Sequence, residues 1–202
     1  MSKMMKDTAI LLVITLVSGL LLGLVYQITK EPIAIQQEKA KQEACQEVFA
    51  DASSFAEVEL AVPDEQAWAD AGFAEETIDE VMAAQDASGE TLGYVITVTT
   101  KEGYAGDIRF TVGIRQDGTV NGISILKISE TAGLGMRAEE VLKPQFADKN
   151  VEAFTYTKSG AAADDQIDAI SGATITTNAV TNGVNAGLYY FQTQLKGGSE
   201  NE

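Results

Sequence analysis

Three β-rich runs decide the fold: Leu92–Thr100 (LGYVITVTT), Asp107–Ile114 (DIRFTVGI) and Val120–Ile128 (VNGISILKI). Each has strand length and is dense in β-branched residues. The first two are separated by Lys101-Glu102-Gly103-Tyr104-Ala105-Gly106, and Gln116-Asp117-Gly118 between the second and third is a hairpin signal. Consecutive strands joined by short turns form an antiparallel meander. Helices flank it on both sides in the sequence. Thr176–Leu195 reads as a closing helix with Val180, Val184, Leu188, Phe191 and Leu195 along one face. Strands grouped together with helices at either end give an α+β fold rather than an alternating α/β one.

Between the third strand and the closing helix, Arg137–Leu142 reads as a short helix stopped by Pro144. Val151–Lys158 reads as a further strand and Ser159–Asp165 as an acidic, small-residue loop. Before the meander, residues 51–85 are acidic and Ala-rich, with strand-like and short helical pieces and a break at Pro63. No internal repeat is evident.

The N-terminal end has a different chemistry. Ala9–Tyr26 (AILLVITLVSGLLLGLVY) is uncharged throughout. As a helix it reaches roughly 27 Å, close to the thickness of a bilayer's hydrocarbon core. It passes into Gln27-Ile28-Thr29-Lys30 with no small-residue cleavage site, so a retained anchor is expected rather than a signal peptide. Gly19 and Gly23 make a GxxxG step on which a second helix can approach. Lys3 and Lys6 precede the run while Lys30, Lys39 and Lys41 follow it, so charge does not orient it. The expected organisation is a short N-terminus (1–8), a transmembrane helix (9–28), a juxtamembrane helix (29–50) that begins near Pro32, one domain (51–196) and a polar tail (197–202).

Composition removes whole classes of chemistry. The chain has 14 Lys+Arg against 30 Asp+Glu, a net charge of −16, and no basic stripe for nucleic acid. Beyond residue 30 there are 11 basic and 29 acidic residues, as expected of a solvated acidic domain. With no histidine there is no Ser-His-Asp triad and no histidine metal site. One cysteine, Cys45, cannot make an internal disulfide or ligate a cluster, and its polar setting reads as an incidental surface or half-buried thiol. No stand-alone catalytic site and no metal site are visible.

The positive signal is Asp168-Ala169-Ile170-Ser171-Gly172-Ala173-Thr174-Ile175-Thr176-Thr177. Hydroxyls at a helix start are ordinarily caps. Here they recur at Ser171, Thr174, Thr176 and Thr177, more than one cap needs. The Gly172-Ala173 pair lets backbone approach a ligand, and a helix N-terminus favours a phosphate. A second run, Ser129-Glu130-Thr131-Ala132-Gly133-Leu134-Gly135, offers two glycines around Leu134 as a bed for a flat ring, with Glu130 and Thr131 as polar partners. The alternative is a plain Gly-rich strand-to-helix turn. A dinucleotide reading of Gly133–Ala138 fails, because the following helix is too short before Pro144 and no parallel βαβ unit surrounds it.

The first run resembles the Asp-x-x-Ser-Gly-Ala-Thr signature of FMN-binding domains in which a flavin transferase esterifies the FMN phosphate to the final threonine, here Thr174. The second is similar to the Glu-Thr-Pro-Gly-Leu-Gly motif of the same domains, with Ala132 in place of proline and Ile128 in place of a usual histidine. Gly103-Tyr104-Ala105-Gly106 is similar to their Gly-Tyr-x-Gly turn. With the anchor and the exit TKEPI (29–33), the likeness covers nearly the whole chain. The chain resembles the RnfG family, the G subunits of Rnf ion-translocating electron-transport complexes. The related NqrC family, from Na⁺-translocating NADH:quinone oxidoreductases, has the same layout but is typically longer.

The resemblance implies one covalent FMN per chain at Thr174, with Asp168, Ser171, Gly172, Ala173, Thr176, Thr177, Glu130, Thr131, Gly133, Leu134 and Gly135 around it. It also implies a single-pass protein of the cell (inner) membrane with its domain on the extracytoplasmic side. Its partners would be the other members of the complex and a flavin transferase, in ferredoxin:NAD⁺ electron transfer coupled to Na⁺ or H⁺ movement. A membrane-anchored flavin sensor or regulator is the other class these residues allow.

Overall fold

The computed structural model describes residues 3–196, and the polar tail at 197–202 lies outside them. The chain divides into two units, Met1–Gln42 and Glu43–Glu202. The first unit is helical throughout its described residues, being most of α1 (Lys3–Val48). Its apolar segment has a mean hydropathy of 2.6 over 18 residues, none of them buried by protein, and is long and apolar enough to cross a membrane. The hydroxyls inside it are satisfied locally, as hydrocarbon requires. Thr15 donates to the carbonyls of Leu11 and Leu12, and Thr29 to that of Val25 at 2.9 Å.

The expected break at Pro32 is not there: α1 runs through it. A proline removes one backbone bond to the i−4 carbonyl. The Gln-, Glu-, Lys- and Ala-rich stretch that follows (QQEKAKQEA, 36–44) is a strong helix former and carries the helix on.

In the second unit, β1 (Ser54–Val58), β2 (Glu76–Gln85), β3 (Thr91–Thr100), β4 (Ile108–Arg115) and β5 (Val120–Lys127) form one antiparallel sheet in sequence order. The expected meander is its β3–β5 part. Residues 51–85 add two strands and the short helix α2 (Glu65–Asp70), started by the Asp64 carboxylate accepting from Ala67 N at 2.9 Å. The Gln116-Asp117-Gly118 turn closes β4 to β5, with Gly118 at φ 92° and Arg115 N donating to Thr119 O.

Helices cover both faces of the sheet, which is why β3 and β4 are buried almost continuously instead of alternating. On one face lies α4 (Thr174–Tyr190), with Val180, Val184 and Leu188 buried as the periodicity predicts; Phe191, in the π turn that continues it, is buried too. Gly183 and Gly187 set its height. A methyl at Gly183 would stand 2.6 Å from the Phe110 ring, so glycine lets the helix backbone lie directly on β4. On the other face, Cys45, Val48, Phe49 and Ala52 pack with Ala84 and Val95. Cys45 is therefore core, 2% exposed, and not the surface thiol expected, because the last turn of α1 is itself a covering element.

A polar row runs through this second face. Thr97 pairs with Thr111 and Thr111 with Ser124, and Ser124 Oγ donates to Glu47 Oε2. Lys143 Nζ reaches the other Glu47 oxygen at 2.6 Å. Burial pushes the Glu47 carboxyl up, but Lys143 and Ser124 outweigh it and hold the group below its ordinary value.

Two short segments differ from the sequence expectation. Of the expected Val151–Lys158 strand only β6 (Thr155–Thr157) forms, and it pairs in parallel with the unexpected β7 (Gln166–Asp168). The Asn185 amide on α4 explains the shortening. It accepts from Phe154 N at 2.7 Å and donates to Phe154 O at 2.9 Å, taking the groups a longer strand would pair. The expected short helix around Arg137–Leu142 appears as a 3-10 turn (Gly135–Arg137), α3 (Ala138–Val141) and a second 3-10 turn opened by Pro144.

Glu76 is an acid in a core position, 4% exposed, paired in register with Thr100. Burial first, then the neighbouring Glu102 charge, raise its pKa to about 7. A carboxyl whose folded pKa lies above its unfolded value of 4.5 binds its proton more tightly in the fold. Its contribution is therefore lost progressively between pH 4.5 and about 7 and stays lost above. Glu76→Gln should leave stability at pH 4 nearly unchanged and raise it by about 2 kcal/mol at pH 8, read from urea unfolding at both values. Gly113 sets the other face, since a Cβ there would lie 2.8 Å from Val48 Cβ. Gly113→Val should cost about 2 kcal/mol in the same unfolding measurement, by forcing α1's last turn off the sheet.

Candidate functional site

Three loops meet at one end of the sheet: the Gly103–Gly106 turn after β3, the Glu130–Gly135 run after β5, and the Gly172–Thr176 entry to α4. Between them is a cleft of about 520 Å³ lined by Tyr104, Glu130, Thr131, Leu134, Gly135, Gly172, Ala173, Thr174, Ile175 and Thr176. The size is that of an ordinary small-molecule site. The two runs singled out in the sequence, about forty residues apart, are thus its facing walls.

Local chemistry builds each wall. Gly133 (φ 77°) and Gly172 (φ 80°) take backbone conformations that only glycine adopts easily. The Thr131 carbonyl accepts from both Leu134 N and Met136 N, curling the run so that Leu134 faces the α4 entry. A Cβ on Gly172 would lie 3.1 Å from Leu134 Cδ2, and one on Gly135 would lie 2.6 Å from Thr176 Oγ1. Glu130 is 8% exposed and its Oε1 accepts from Tyr104 N at 2.7 Å. It therefore holds the Gly103–Gly106 turn as well as lining the cleft.

The α4 entry is the electropositive element. Its N-cap is Ala173, which has no side chain to cap with, and no side chain caps this helix among the described residues. Among those residues, the backbone N–H groups of Thr174, Ile175 and Thr176 have no protein acceptor, while Thr177 N is the first to bond back, to Ala173 O at 3.0 Å. Free N–H groups at the start of a 17-residue helix, beside a Gly-Ala step, suit a phosphate. The hydroxyls divide by burial. Thr177 is fully buried, accepting from Ile170 N and donating to Ala173 O, and so shapes the turn. Thr176 is 1% exposed, whereas Thr174 is open to the cleft at an intermediate level. The rim is apolar: Tyr104, Ile175 and Leu134 are 69%, 52% and 41% exposed, surfaces that a flat aromatic ligand would cover.

Asp168, Ser171, Gly133 and Thr177 do not line the cleft. Asp168 acts elsewhere, its Oδ1 accepting from Ala161 N at 2.6 Å and its N–H donating to Gln145 Oε1 at 2.7 Å, so that it ties down the 159–165 loop. Tyr104 and Ile175 line the cleft although sequence reasoning did not place them among the ligand contacts. The signal that could have found Tyr104 is an aromatic residue held between two glycines. Among the described residues, no group of three or more His, Cys, Asp or Glu is placed to hold a metal ion.

A cleft with phosphate-binding geometry at one end and an apolar rim at the other, in a protein with an apolar N-terminal helix, defines an anchored flavin-binding domain. Known proteins agree: residues 103–189 match the FMN-binding domain family and residues 1–48 the RnfG N-terminal region. The G subunit of the Na⁺-translocating ferredoxin:NAD⁺ oxidoreductase complex of Acetobacterium woodii is 34% identical over 93% of this chain and 91% of its own length. The G subunit of the ion-translocating oxidoreductase complex of Methanosarcina acetivorans is 30% identical over 94% and 95%. That of the proton-translocating ferredoxin:NAD⁺ oxidoreductase complex of Clostridium ljungdahlii is 32% identical over 83% and 80%. The crystal structure of Shewanella oneidensis NqrC overlays on 56% of this chain and 58% of that one at 23% identity and a TM-score of 0.47, too loosely to carry an argument. The chain belongs to the RnfG family, the G subunits of ion-translocating oxidoreductase complexes.

Gly135→Ala pushes a methyl into Thr176 Oγ1 and Glu130 Cβ at the cleft floor. It should lower flavin bound per chain at least fivefold, by absorbance against protein mass, while the circular dichroism spectrum is unchanged.

Proposed function

We propose that this chain is the membrane-anchored electron-carrier subunit of a ferredoxin:NAD⁺ oxidoreductase complex coupled to Na⁺ or H⁺ movement. It carries one FMN joined through its phosphate to Thr174 by a separate flavin transferase. The domain faces the extracytoplasmic side, with other integral subunits as neighbours. The observation that carries the reading is the α4 entry: Thr174 opens on the cleft beside three N–H groups without acceptors among the described residues, while Thr176 and Thr177 are buried.

Bound FMN would supply reversible electron storage, and the residues present hold and orient it. The N–H groups of Thr174, Ile175 and Thr176 would take the phosphate oxygens. Leu134, Ile175 and Tyr104 would flank the ring, and Glu130 and Thr131 stand at the opposite wall. With no histidine in the chain, nothing activates the Thr174 hydroxyl for self-modification, which supports a dedicated transferase. An ester bond keeps the flavin from diluting away and fixes its orientation for transfer. Relatives of nearly equal identity are named for different ions, Na⁺ in one and the proton in another, which supports a coupling ion chosen elsewhere in such a complex.

The full chain co-expressed with a flavin transferase should gain the mass of one esterified FMN, mapped to the peptide containing Thr174. Thr174→Ala should abolish the gain with an unchanged circular dichroism spectrum. Covalent flavin retained in Thr174→Ala overturns the assignment.

A further inference from the structure

Glu76 does nothing in the site described above, yet it is placed to act on it. Its carboxyl sits in the core on the α4 side of the sheet. Oε1 accepts from the Thr100 hydroxyl at 3.2 Å, and Oε2 is buried with no partner among the described residues. A core that buries a carboxylate normally supplies donors for both oxygens. The groups acting on Glu76 are of the wrong kind to neutralise it. Glu75 beside it and Glu102 after β3 are acidic, Thr100 is neutral, and Trp68 from α2 donates to the Glu76 backbone carbonyl, not to the carboxyl. On the α4 side, Asn178 and Asn182 are neutral and both donate to Glu102 Oε2, at 3.1 and 2.9 Å. The smallest cation that balances this cluster is a proton, and a pKa of about 7 puts it on and off in the working range.

The cluster is wired to both walls of the cleft. The Thr100 hydroxyl that donates to Glu76 accepts from Glu102 N at 3.2 Å. Glu102 leads directly into Gly103-Tyr104, one wall, and its carboxylate is held by Asn178, one helical turn beyond Thr174, the other wall. Negative charge added in the cleft therefore falls on an acid pair already strained by like charge, in a setting of low dielectric.

We propose that Glu76 is a proton-binding site coupled to the flavin, taking up one proton from solvent when the flavin gains an electron and releasing it when the electron leaves. The balance is simple. One electron enters from a one-electron donor, one proton joins a Glu76 carboxylate oxygen as a new O–H bond, and the flavin ring itself gains no atom in this step. The inference rests on the flavin reading above and adds a residue remote from the ring to its redox chemistry.

The test uses the full chain in detergent, loaded with FMN and checked by intact mass. The flavin midpoint potential is followed from pH 5.5 to 9 with dithionite as reductant, in wild type and Glu76→Gln, together with reduction-induced infrared difference spectra. Wild type should show a bend in potential against pH near neutrality and a protonated-carboxyl band appearing on reduction. Glu76→Gln should lose both. Superimposable pH profiles in the two proteins overturn the proposal, as does a potential that follows added Na⁺ at fixed pH instead of pH. If Glu76→Gln does not fold, absence of the carboxyl band in wild type overturns it alone. Protein that carries no flavin by mass refutes the flavin reading instead, and infrared titration of the flavin-free chain then decides whether Glu76 protonates near neutrality.

Discussion

The packing of α4 directly onto the sheet is the constraint on which the rest depends. It is possible because Gly183 and Gly187 face Phe110, Val98 and Val112 with no side chain of their own. That close approach buries Val180, Val184 and Leu188 and fixes the helix axis. Fixing the axis also fixes where the helix begins, and its first residues are the phosphate-binding end of the cleft. Each contact that stabilises the core therefore also aims Thr174. Asn185 uses the same helix to hold Phe154, and Asn178 and Asn182 use it to hold Glu102.

The opposite face of the sheet is organised by a different element. The last turn of α1 supplies Cys45 and Val48, with Phe49 just beyond, to a small apolar cluster, and Glu47 joins Ser124 to Lys143. Those residues belong to the second unit, so the end of α1 is part of the folded domain's own core. Its burial there is what gives Cys45 a packing role in place of a reactive one.

Polar groups in the domain are distributed by task. Asp168 and Thr177, inside the most telling motif, hold loops and turns in place. Thr174 and the N–H groups around it are left open to the cleft. Glu130 serves both walls by lining the cleft and securing the Tyr104 turn. Among the described residues, only Glu76 has a buried carboxylate oxygen without a donor. A fold that satisfies its buried carboxyls elsewhere has left this one dependent on a proton.

Periodicity and turn residues by themselves determined the meander, the closing helix and the apolar segment, since these are local properties of the chain. The two flavin motifs were legible because Gly and hydroxyl residues at fixed spacing are local chemistry too. What sequence misplaced depended on distant partners. α1 runs on through Pro32, Cys45 is core because the end of α1 covers a sheet face, and the 151–158 strand is cut short by Asn185, 31 residues from Phe154. Burial on both sheet faces hid the usual alternation in β3 and β4. Only the tertiary structure decided that Thr174, and not Thr176 or Thr177, opens on the cleft, because helix rotation against the sheet sets which side chains are buried. Only it brought Glu76 beside Glu102, since that proximity is made by strand register and no local pattern encodes it.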